Sequence, residues 1–234
     1  MQPFTVYWCA EVSNKFPELA ICVGAIDNVS VEKENLKIKE LKSALYSEAK
    51  AKYAVEDLKE NPTVRAYRDF YWKLGIDPTK TRPSGEALLR RVLRGEELPT
   101  ILTAVDAYNL ASMKTIIPIS GFDGQTLSPP FNVRFAENGE TFTGIGMEKP
   151  ASLTNNMLVL ADTKNVLCIY PHRDAEQTKI TLKTKNILLV GYGAPGITKK
   201  QLEDAVSTAL EFIKIVCGGE TSTVKVFSAT PNLV

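Results

Sequence analysis

The sequence predicts an α+β protein, in which most helices and most strands occupy different parts of the chain. Residues 32–112 carry apolar residues at helical spacing, whereas residues 115–234 carry mostly short β-type runs separated by turn signals. One further helix follows residue 198. Helices that precede a set of antiparallel strands are typical of α+β folds and differ from the repeating βαβ pattern of parallel-sheet proteins.

Length and composition are those of a globular protein. The chain has 234 residues, 44% of them hydrophobic and 24% charged, with a mean hydropathy of -0.09. A net charge of +1 argues against a protein that binds polyanions over its whole surface. No apolar run approaches the ~20 residues of a membrane helix, and the first residues lack the features of a signal peptide. We therefore expect a cytoplasmic chain with no membrane contact.

Cysteine and histidine usage limits the metal chemistry. Four scattered cysteines form no C-x-x-C pair, and His172 is the only histidine. Thiolate zinc sites need ligands at close spacing, so we expect reduced thiols, no metal and no cofactor. A Ser-His-Asp arrangement could use only His172.

The first half of the chain reads as strand, then helices. Residues 1–31 are β-rich, and residues 32–60 form a charge-balanced helix whose face is expected to be solvated. Asn61, followed by Pro62, is a good N-cap, and Gly75 is placed to end that helix. Two more helices are predicted, one from Ser84 to Gly95 and one over about 101–113.

The second half reads as strands followed by one long helix. Thr198 and Gln201 form the capping-box pattern at the start of that helix. The predicted strands cover residues 116–119, 132–135, 157–160, 166–169, 186–190 and 224–227.

A glycine motif precedes the last helix. Residues 191–196 fit G-x-G-x-x-G after a strand and before a helix, as in dinucleotide-binding folds. The next strand ends in Ser228 and not in an acid, and Pro195 removes a backbone donor. We therefore interpret the motif as a strand-to-helix turn.

A basic cluster with interleaved aromatic residues lies between Pro62 and Gly95. It carries a net charge of +5 in a chain that totals +1. Such a mixture suits a contact with single-stranded RNA. On composition alone, solvated arginines beside core aromatics are the favoured explanation.

Three segments between Asn61 and Gly219 resemble the B3/B4 domain, which occurs in the bacterial phenylalanyl-tRNA synthetase beta subunit and in free-standing proteins. The first segment contains Asn61-Pro62, Tyr67-Arg68, Leu74-Gly75-Ile76-Asp77-Pro78 and Glu86 to Leu93. The second contains Leu98-Pro99, Val105-Asp106, Asn109, Pro118 and Phe122-Asp123. The third contains His172 to Thr181 and Thr184 to Val190. The resemblance implies a three-layer α+β fold with an unusual mixed or antiparallel β-sandwich. It also implies a single domain over 1–234, made of a strand and charged helix over 1–60, a core over 61–219 and a strand and tail over 220–234.

In the synthetase, this domain edits by hydrolysing the ester that joins tyrosine to phenylalanine tRNA. Asn109 matches an asparagine of the family's pocket, and Ser120 stands where its histidine would be. Ester hydrolysis needs a positioned water, a proton acceptor and oxyanion donors, so Asn109, Ser120, His172 and Asp174 are the candidate catalytic residues. The resemblance implies substrate contacts through Asp106, Arg173 and Lys179. Arg82, Arg90, Arg91 and Arg94 are the predicted RNA contacts. The chain departs from the family where Ser120 replaces a histidine, Lys179 lies near the place of a glutamate and Leu102 replaces a polar residue, so a tyrosine-specific pocket is not expected.

Two functional hypotheses follow. The first is a free-standing editing hydrolase that acts on the aminoacylated 3′ end of tRNA, with a synthetase as a partner. The second is a non-catalytic RNA-binding or partner-docking module that keeps the pocket as a recognition surface. Asp106 and Asn109 could equally cap or brace buried backbone. His172 could equally be a surface residue between strands, and Arg173 with Asp174 could pair with neighbouring loops. No motif for amino-acid activation is present, so ligase activity is not expected.

Overall fold

The computed structural model describes residues 4–230, so Met1 to Pro3 and the tail from 231 to 234 lie outside the described residues. Within that range the helices are α1 Ala10–Lys15, α2 Leu36–Lys52, α3 Pro62–Lys73, α4 Ser84–Leu93, α5 Thr103–Thr115 and α6 Lys199–Cys217. The strands are β1 Val6–Trp8, β2 Ala20–Asp27, β3 Ile119–Asp123, β4 Phe131–Phe135, β5 Thr141–Phe142, β6 Ala151–Ser152, β7 Leu158–Ala161, β8 Val166–Ile169, β9 Arg173–Asp174, β10 Ile187–Tyr192, β11 Glu220–Thr221 and β12 Lys225–Ser228.

Local capping chemistry determines where α3 and α6 begin. The Asn61 side chain accepts hydrogen bonds from the first backbone N–H groups of α3, and Pro62 occupies its first position. Gly75 follows α3 with φ +76°, a conformation that favours glycine. The Thr198–Gln201 capping box starts α6. All of these sequence predictions are confirmed.

Three predicted elements have different bounds. The predicted helix over 32–60 ends at Lys52, and residues 57–60 form a separate 3-10 turn. The strand expected over 116–119 is wrong in its first part, because Ile116 ends α5 with φ +62° and β3 begins at Ile119. The β-rich first segment also contains the short helix α1, which the sequence pattern did not indicate.

Two five-stranded sheets form the β-sandwich. The central sheet has the order β11-β2-β10-β3, with β12 also paired to β2. The outer sheet has the order β1-β4-β7-β8-β9. Only the β1–β4 pairing is parallel among the named strands of residues 4–230. The mixed pairing agrees with the predicted sheet type, and β3 and β9 each end a sheet.

Glycines on the central sheet allow the helix layer to approach it closely. A Cβ at Gly24 or Gly191 would lie 2.9 or 2.8 Å from the Val206 side chain of α6. Ser120, on the opposite face, bonds to Asp174 of the outer sheet. Helices, central sheet and outer sheet therefore form three layers, which confirms the predicted α+β architecture.

The glycines of the G-x-G-x-x-G segment have a structural role in chain packing and turning. β10 is antiparallel to both of its neighbours, unlike the first strand of a dinucleotide-binding βαβ unit. A Cβ at Gly193 would lie 2.5 Å from the Ala20 carbonyl oxygen, and Gly196 has φ +90°. The glycines permit close strand contact and the turn into α6.

Candidate active site

Ser120 and Asp174 meet where the two sheets end on the same side of the sandwich. The Ser120 hydroxyl donates a 2.6 Å hydrogen bond to Oδ1 of Asp174. Ser120 lies on β3, with 6% of its surface exposed, and Asp174 lies half-buried on β9. The structure thus joins two predicted catalytic residues that are 54 positions apart.

Burial changes the proton affinity of Asp174. Desolvation raises the pKa of its carboxyl from 3.8 to about 6, against the opposing effect of the Ser120 hydrogen bond. A carboxylate with a pKa near 6 is mostly ionised at pH 7, yet it is a stronger base than an ordinary aspartate. General-base catalysis is most effective when the pKa of the base lies near the working pH.

Two further side chains extend the pair into the sandwich. The Tyr192 hydroxyl on β10 lies 3.0 Å from Sγ of Cys168 on β8. Burial raises the pKa of the Tyr192 hydroxyl, followed in effect by the charges of Cys168 and Asp174, and nearby Ser120 opposes this shift. Burial raises the pKa of the Cys168 thiol, followed in effect by the charge of Asp174. Cys168 is therefore a neutral thiol at pH 7 and supports Tyr192 without acting as a nucleophile.

Helix α5 packs on β3 and carries the consecutive residues Tyr108 and Asn109. The Tyr108 ring is buried against β3, and after desolvation the charges of Asp174 and Asp106 raise the pKa of its hydroxyl. Asn109 is half-buried, and its side chain forms no hydrogen bond within residues 4–230. Its amide is therefore available for a bound group, and its predicted catalytic role stays a prediction.

His172 contacts a different part of the molecule. Its ring packs at 63° against Tyr71 of α3, with the ring centroids 6.5 Å apart. Nδ1 is buried and has no hydrogen-bond partner among the described residues. Burial, and secondly the charge of Arg173, lower the pKa of His172 from 6.5 to about 4. At pH 7 it is a neutral imidazole whose observed contact is aromatic.

Asp106 braces the start of α5. Its carboxylate accepts a 2.7 Å bond from Nζ of Lys42 and a 3.0 Å bond from the Ile101 backbone N–H. Only 2% of Asp106 is exposed. The sequence analysis gave Asp106 two alternative roles, binding substrate or bracing backbone, and these contacts are of the bracing kind. The bond to Lys42 also links the charged helix α2 to α5.

Arg173 and Lys179 lie at the surface beside β9 and β3. The Arg173 side chain lies across Gly144, where a Cβ would be 2.5 Å from its Cδ. Lys179 forms an ion pair with Glu176, and its backbone bridges Phe122 of β3. Both are exposed and remain candidate substrate contacts.

The predicted RNA-binding arginines fall into two groups. Arg82, Arg91 and Arg94 are exposed, and Arg91 donates to the Glu97 carbonyl oxygen. Arg90 instead donates to the buried carboxylate of Glu86, which also binds Arg68. The exposed arginines can reach a polyanion, whereas Arg90 also joins α4 to α3 through Glu86.

Sequence reasoning did not select Tyr108, Tyr192 or Lys42. Tyr108 directly precedes Asn109, a matched family position, but its aromatic ring reads as core. Tyr192 lies in the glycine motif, and Lys42 lies among many charges of α2. The structure identifies Tyr108 by its ring against Gly121 of β3, Tyr192 by its hydroxyl against Cys168, and Lys42 by its ion pair with Asp106.

Two searches of the described part of the chain were negative. No group of three or more His, Cys, Asp or Glu residues that could hold a metal ion occurs in residues 4–230. Over the same residues, no helix combines the length and apolar character required to cross a membrane.

Comparison with known proteins identifies the family. A structure of an N-terminal fragment of the phenylalanyl-tRNA synthetase beta subunit from Pyrococcus horikoshii aligns with a TM-score of 0.52 and 14% identity, covering 94% of this chain and 51% of that one, and supports the fold. The phenylalanine–tRNA ligase beta subunit of Neisseria meningitidis serogroup B is 26% identical over 167 residues, which are 62% of this chain and 21% of the subunit. That of Haemophilus ducreyi is 28% identical over 159 residues, 58% of this chain and 20% of the subunit. The chain thus spans about a fifth of the length of these curated relatives. The model of the B3/4 domain matches residues 66–218, more than half of the chain, and this protein belongs to the B3/4 domain family.

Proposed function

We propose that this protein is an editing factor that hydrolyses the ester bond of mischarged aminoacyl-tRNA, acting as a free-standing protein. The observation that carries the proposal is the Ser120–Asp174 hydrogen bond, in which the carboxyl pKa of about 6 suits a general base. The relationship to phenylalanine–tRNA ligase beta subunits makes tRNA the expected partner, together with a synthetase that supplies the mischarged product.

The hydrolysis uses groups of this chain in three roles. Asp174 takes a proton from water as the water oxygen attacks the ester carbonyl carbon. Ser120 orients the Asp174 carboxylate, and the free amide of Asn109 donates to the developing oxyanion. The bond from carbon to the ribose oxygen then breaks, and the ribose oxygen receives the proton held by Asp174. The products are the free amino acid and tRNA.

His172 and Asp106 have supporting places in this scheme. His172 is neutral at pH 7 and packs on Tyr71, so no proton transfer is assigned to it. Asp106 holds the start of α5, the helix that carries Asn109, through Lys42. Arg82, Arg91 and Arg94 are assigned to tRNA phosphates, because exposed arginines bind phosphate in the fork geometry that suits two oxygens.

A deacylation time course tests the proposal. Labelled cognate and mischarged aminoacyl-tRNAs are incubated with the wild type, Asp174→Asn, Asn109→Ala and Asp162→Asn. Asp162 is a matched control, because it is a buried aspartate whose carboxylate caps a turn at Ser128 and residues 164–165. We expect Asp174→Asn to slow release by about 10²–10⁴-fold and Asp162→Asn to retain the wild-type rate. The wild-type rate should rise with pH around an apparent pKa near 6.

A second candidate is a binding module without turnover. The small exposed fraction of Ser120, 6%, favours it, since water and an ester must both reach the carboxylate that Ser120 hydrogen-bonds. It predicts tRNA binding that weakens with salt and on replacing Arg91 or Arg94 by Gln, with no effect of Asn109→Ala. Binding without release of any amino acid would establish this candidate and refute the hydrolase.

A further inference from the structure

Helix α3 carries four aromatic residues, and the structure divides them into two groups. Tyr67, Phe70 and Tyr71 are buried, whereas 57% of Trp72 is exposed. The aromatic residues of the basic cluster between residues 62 and 95 therefore belong to the core with one exception. The indole ring of Trp72 presents a large aromatic side chain to solvent, although tryptophan is highly buried on average.

The end of α3 holds Trp72 in a defined place. Consecutive helical residues point about 100° apart, so the buried Tyr71 directs Trp72 away from the core. The backbone N–H of Gly75 donates to the Trp72 carbonyl oxygen at 3.0 Å, and that of Ile76 donates to the Tyr71 carbonyl oxygen at 2.8 Å. An aromatic side chain on such an ordered backbone loses little conformational freedom when it binds a flat partner.

The loop that follows α3 is basic. Lys73, Lys80 and Arg82 are exposed. None of the three forms a salt bridge with another residue of the described range 4–230. The acid of this loop, Asp77, is engaged locally, because its carboxylate accepts hydrogen bonds from the backbone N–H and the hydroxyl of Thr79. The loop therefore offers positive charge to a partner.

The exposed face of α3 itself adds no net charge to this surface. Arg65, Arg68 and Asp69 lie three to seven positions before Trp72 and so share its side of the helix. Arg68 is neutralised by the buried Glu86 of α4. Arg65 and Asp69 are exposed and have opposite charges. The cations of the following loop thus set the sign of the surface.

Trp72 also lies close to the strand that carries the candidate base. The ring of its neighbour Tyr71 packs against His172, with the ring centroids 6.5 Å apart. His172 precedes Asp174 by two residues. The end of α3 is therefore packed on the segment that leads into β9.

We infer that Trp72 is a stacking platform for an unpaired base of single-stranded RNA, with Lys73, Lys80 and Arg82 binding the neighbouring phosphates. Every base has a face that can stack on an aromatic ring, and a basic surface beside the ring binds the backbone. An apolar protein segment would gain nothing from these three cations, so the charge favours RNA. The inference rests on the proposed function for the identity of the strand, which is the single-stranded 3′ end of tRNA.

Intrinsic fluorescence tests the platform, because the chain contains two tryptophans, Trp8 and Trp72. Trp8→Phe leaves Trp72 as the sole tryptophan. Trp72→Phe leaves Trp8, a half-buried residue of β1, as the matched control. Each variant is titrated with a short single-stranded RNA that ends in CCA and with a blunt RNA hairpin. Circular dichroism and thermal unfolding establish that the variants are folded.

The expected result is quenching confined to Trp72. The single-stranded RNA should quench the emission of Trp8→Phe and leave that of Trp72→Phe unchanged. Trp72→Ala should weaken binding of the strand, measured by the anisotropy of labelled RNA, by about tenfold or more, whereas Trp72→Phe keeps a ring and should bind within about threefold of the wild type. Lys73→Gln should bind more weakly, with a shallower dependence on salt.

Three results would each overturn the inference. The first is an emission of Trp8→Phe that the single strand does not change. The second is equal quenching by the blunt hairpin, which offers no unpaired base. The third is a Trp72→Ala protein that binds the strand as tightly as the wild type.

This readout separates the platform from the hydrolase proposal, since RNA binding requires no ester hydrolysis. If the strand quenches Trp72 and no aminoacyl-tRNA is deacylated, the hydrolase proposal fails and the platform stands. If the wild type deacylates mischarged tRNA and Trp72→Ala does so with an unchanged KM, the hydrolase proposal stands and the platform is refuted.

Discussion

The stability of Asp174→Asn relative to the wild type should be greater at pH 8 than at pH 4. Burial disfavours the charged form of Asp174, so the wild-type fold bears the cost of an ionised carboxylate above its raised pKa. Asparagine is neutral at every pH, and its Oδ1 can still accept the hydrogen bond of Ser120. The gain at high pH is the sign expected of a side chain retained for chemistry at some cost in stability.

The direction and size follow from the linkage between protonation and folding. The folded pKa of about 6 lies above the unfolded value of 3.8, so stability falls as pH rises from about 4 to about 6. The full pKa difference corresponds to about 3 kcal/mol, and partial exposure of the carboxyl lowers the expected effect to about 1–3 kcal/mol. Any fixed difference between Asn and protonated Asp cancels when the two pH values are subtracted.

His172 has the opposite effect in nearly the same pH window. Its folded pKa of about 4 lies below 6.5, so the unfolded chain binds a proton that the folded chain does not. Stability from His172 therefore rises as pH increases from about 4 to 6.5, which masks the Asp174 effect in the wild type alone. Subtracting the wild type from Asp174→Asn removes the His172 contribution, since both proteins contain this histidine.

Urea unfolding at pH 4, 6 and 8 measures the difference. The advantage of Asp174→Asn over the wild type should grow by about 1–3 kcal/mol between pH 4 and pH 8. Ser120→Ala should make the loss of stability between pH 4 and pH 8 larger than in the wild type, because it removes the hydrogen bond that favours the ionised form. If the advantage is the same at pH 4 and pH 8, the raised pKa of Asp174 and the argument for a general base are both refuted.

Three further outcomes follow from buried groups. The single histidine, His172, should give one imidazole NMR titration that stays neutral down to about pH 4, and a midpoint near 6.5 would contradict its burial. Glu86→Gln should lower the free energy of unfolding measured in urea by about 3–5 kcal/mol, because Arg68 and Arg90 lose their buried carboxylate partner. Arg91→Gln, at an exposed ion pair, should change it by less than about 1 kcal/mol. Equal losses in the two variants would contradict this role of Glu86. Gly193→Ala should lower the free energy of unfolding by about 1–3 kcal/mol, since its Cβ would meet the Ala20 carbonyl oxygen, and an unchanged urea midpoint would refute that contact.

Local signals were sufficient for much of the fold. The α3 cap at Asn61, the turn at Gly75 and the capping box of α6 depend on residues a few positions apart, so their meaning is readable without tertiary structure. The family motifs indicated the layered α+β architecture, which the structure and the family match bear out. Ile116 shows the limit of such signals, because a β-branched residue typical of strands ends a helix at φ +62°.

The sequence by itself determined the fold class and the family, and it selected Asn109, Ser120 and Asp174 as candidate catalytic residues. Only the tertiary structure decided that Ser120 and Asp174 bond across two sheets, that His172 packs on Tyr71, and that Tyr108 packs on the helix face of β3 at Gly121. The physical reason is that pKa and pocket shape depend on which atoms exclude water from a group. Those atoms come from elements far apart in the chain, brought together by packing of the three layers.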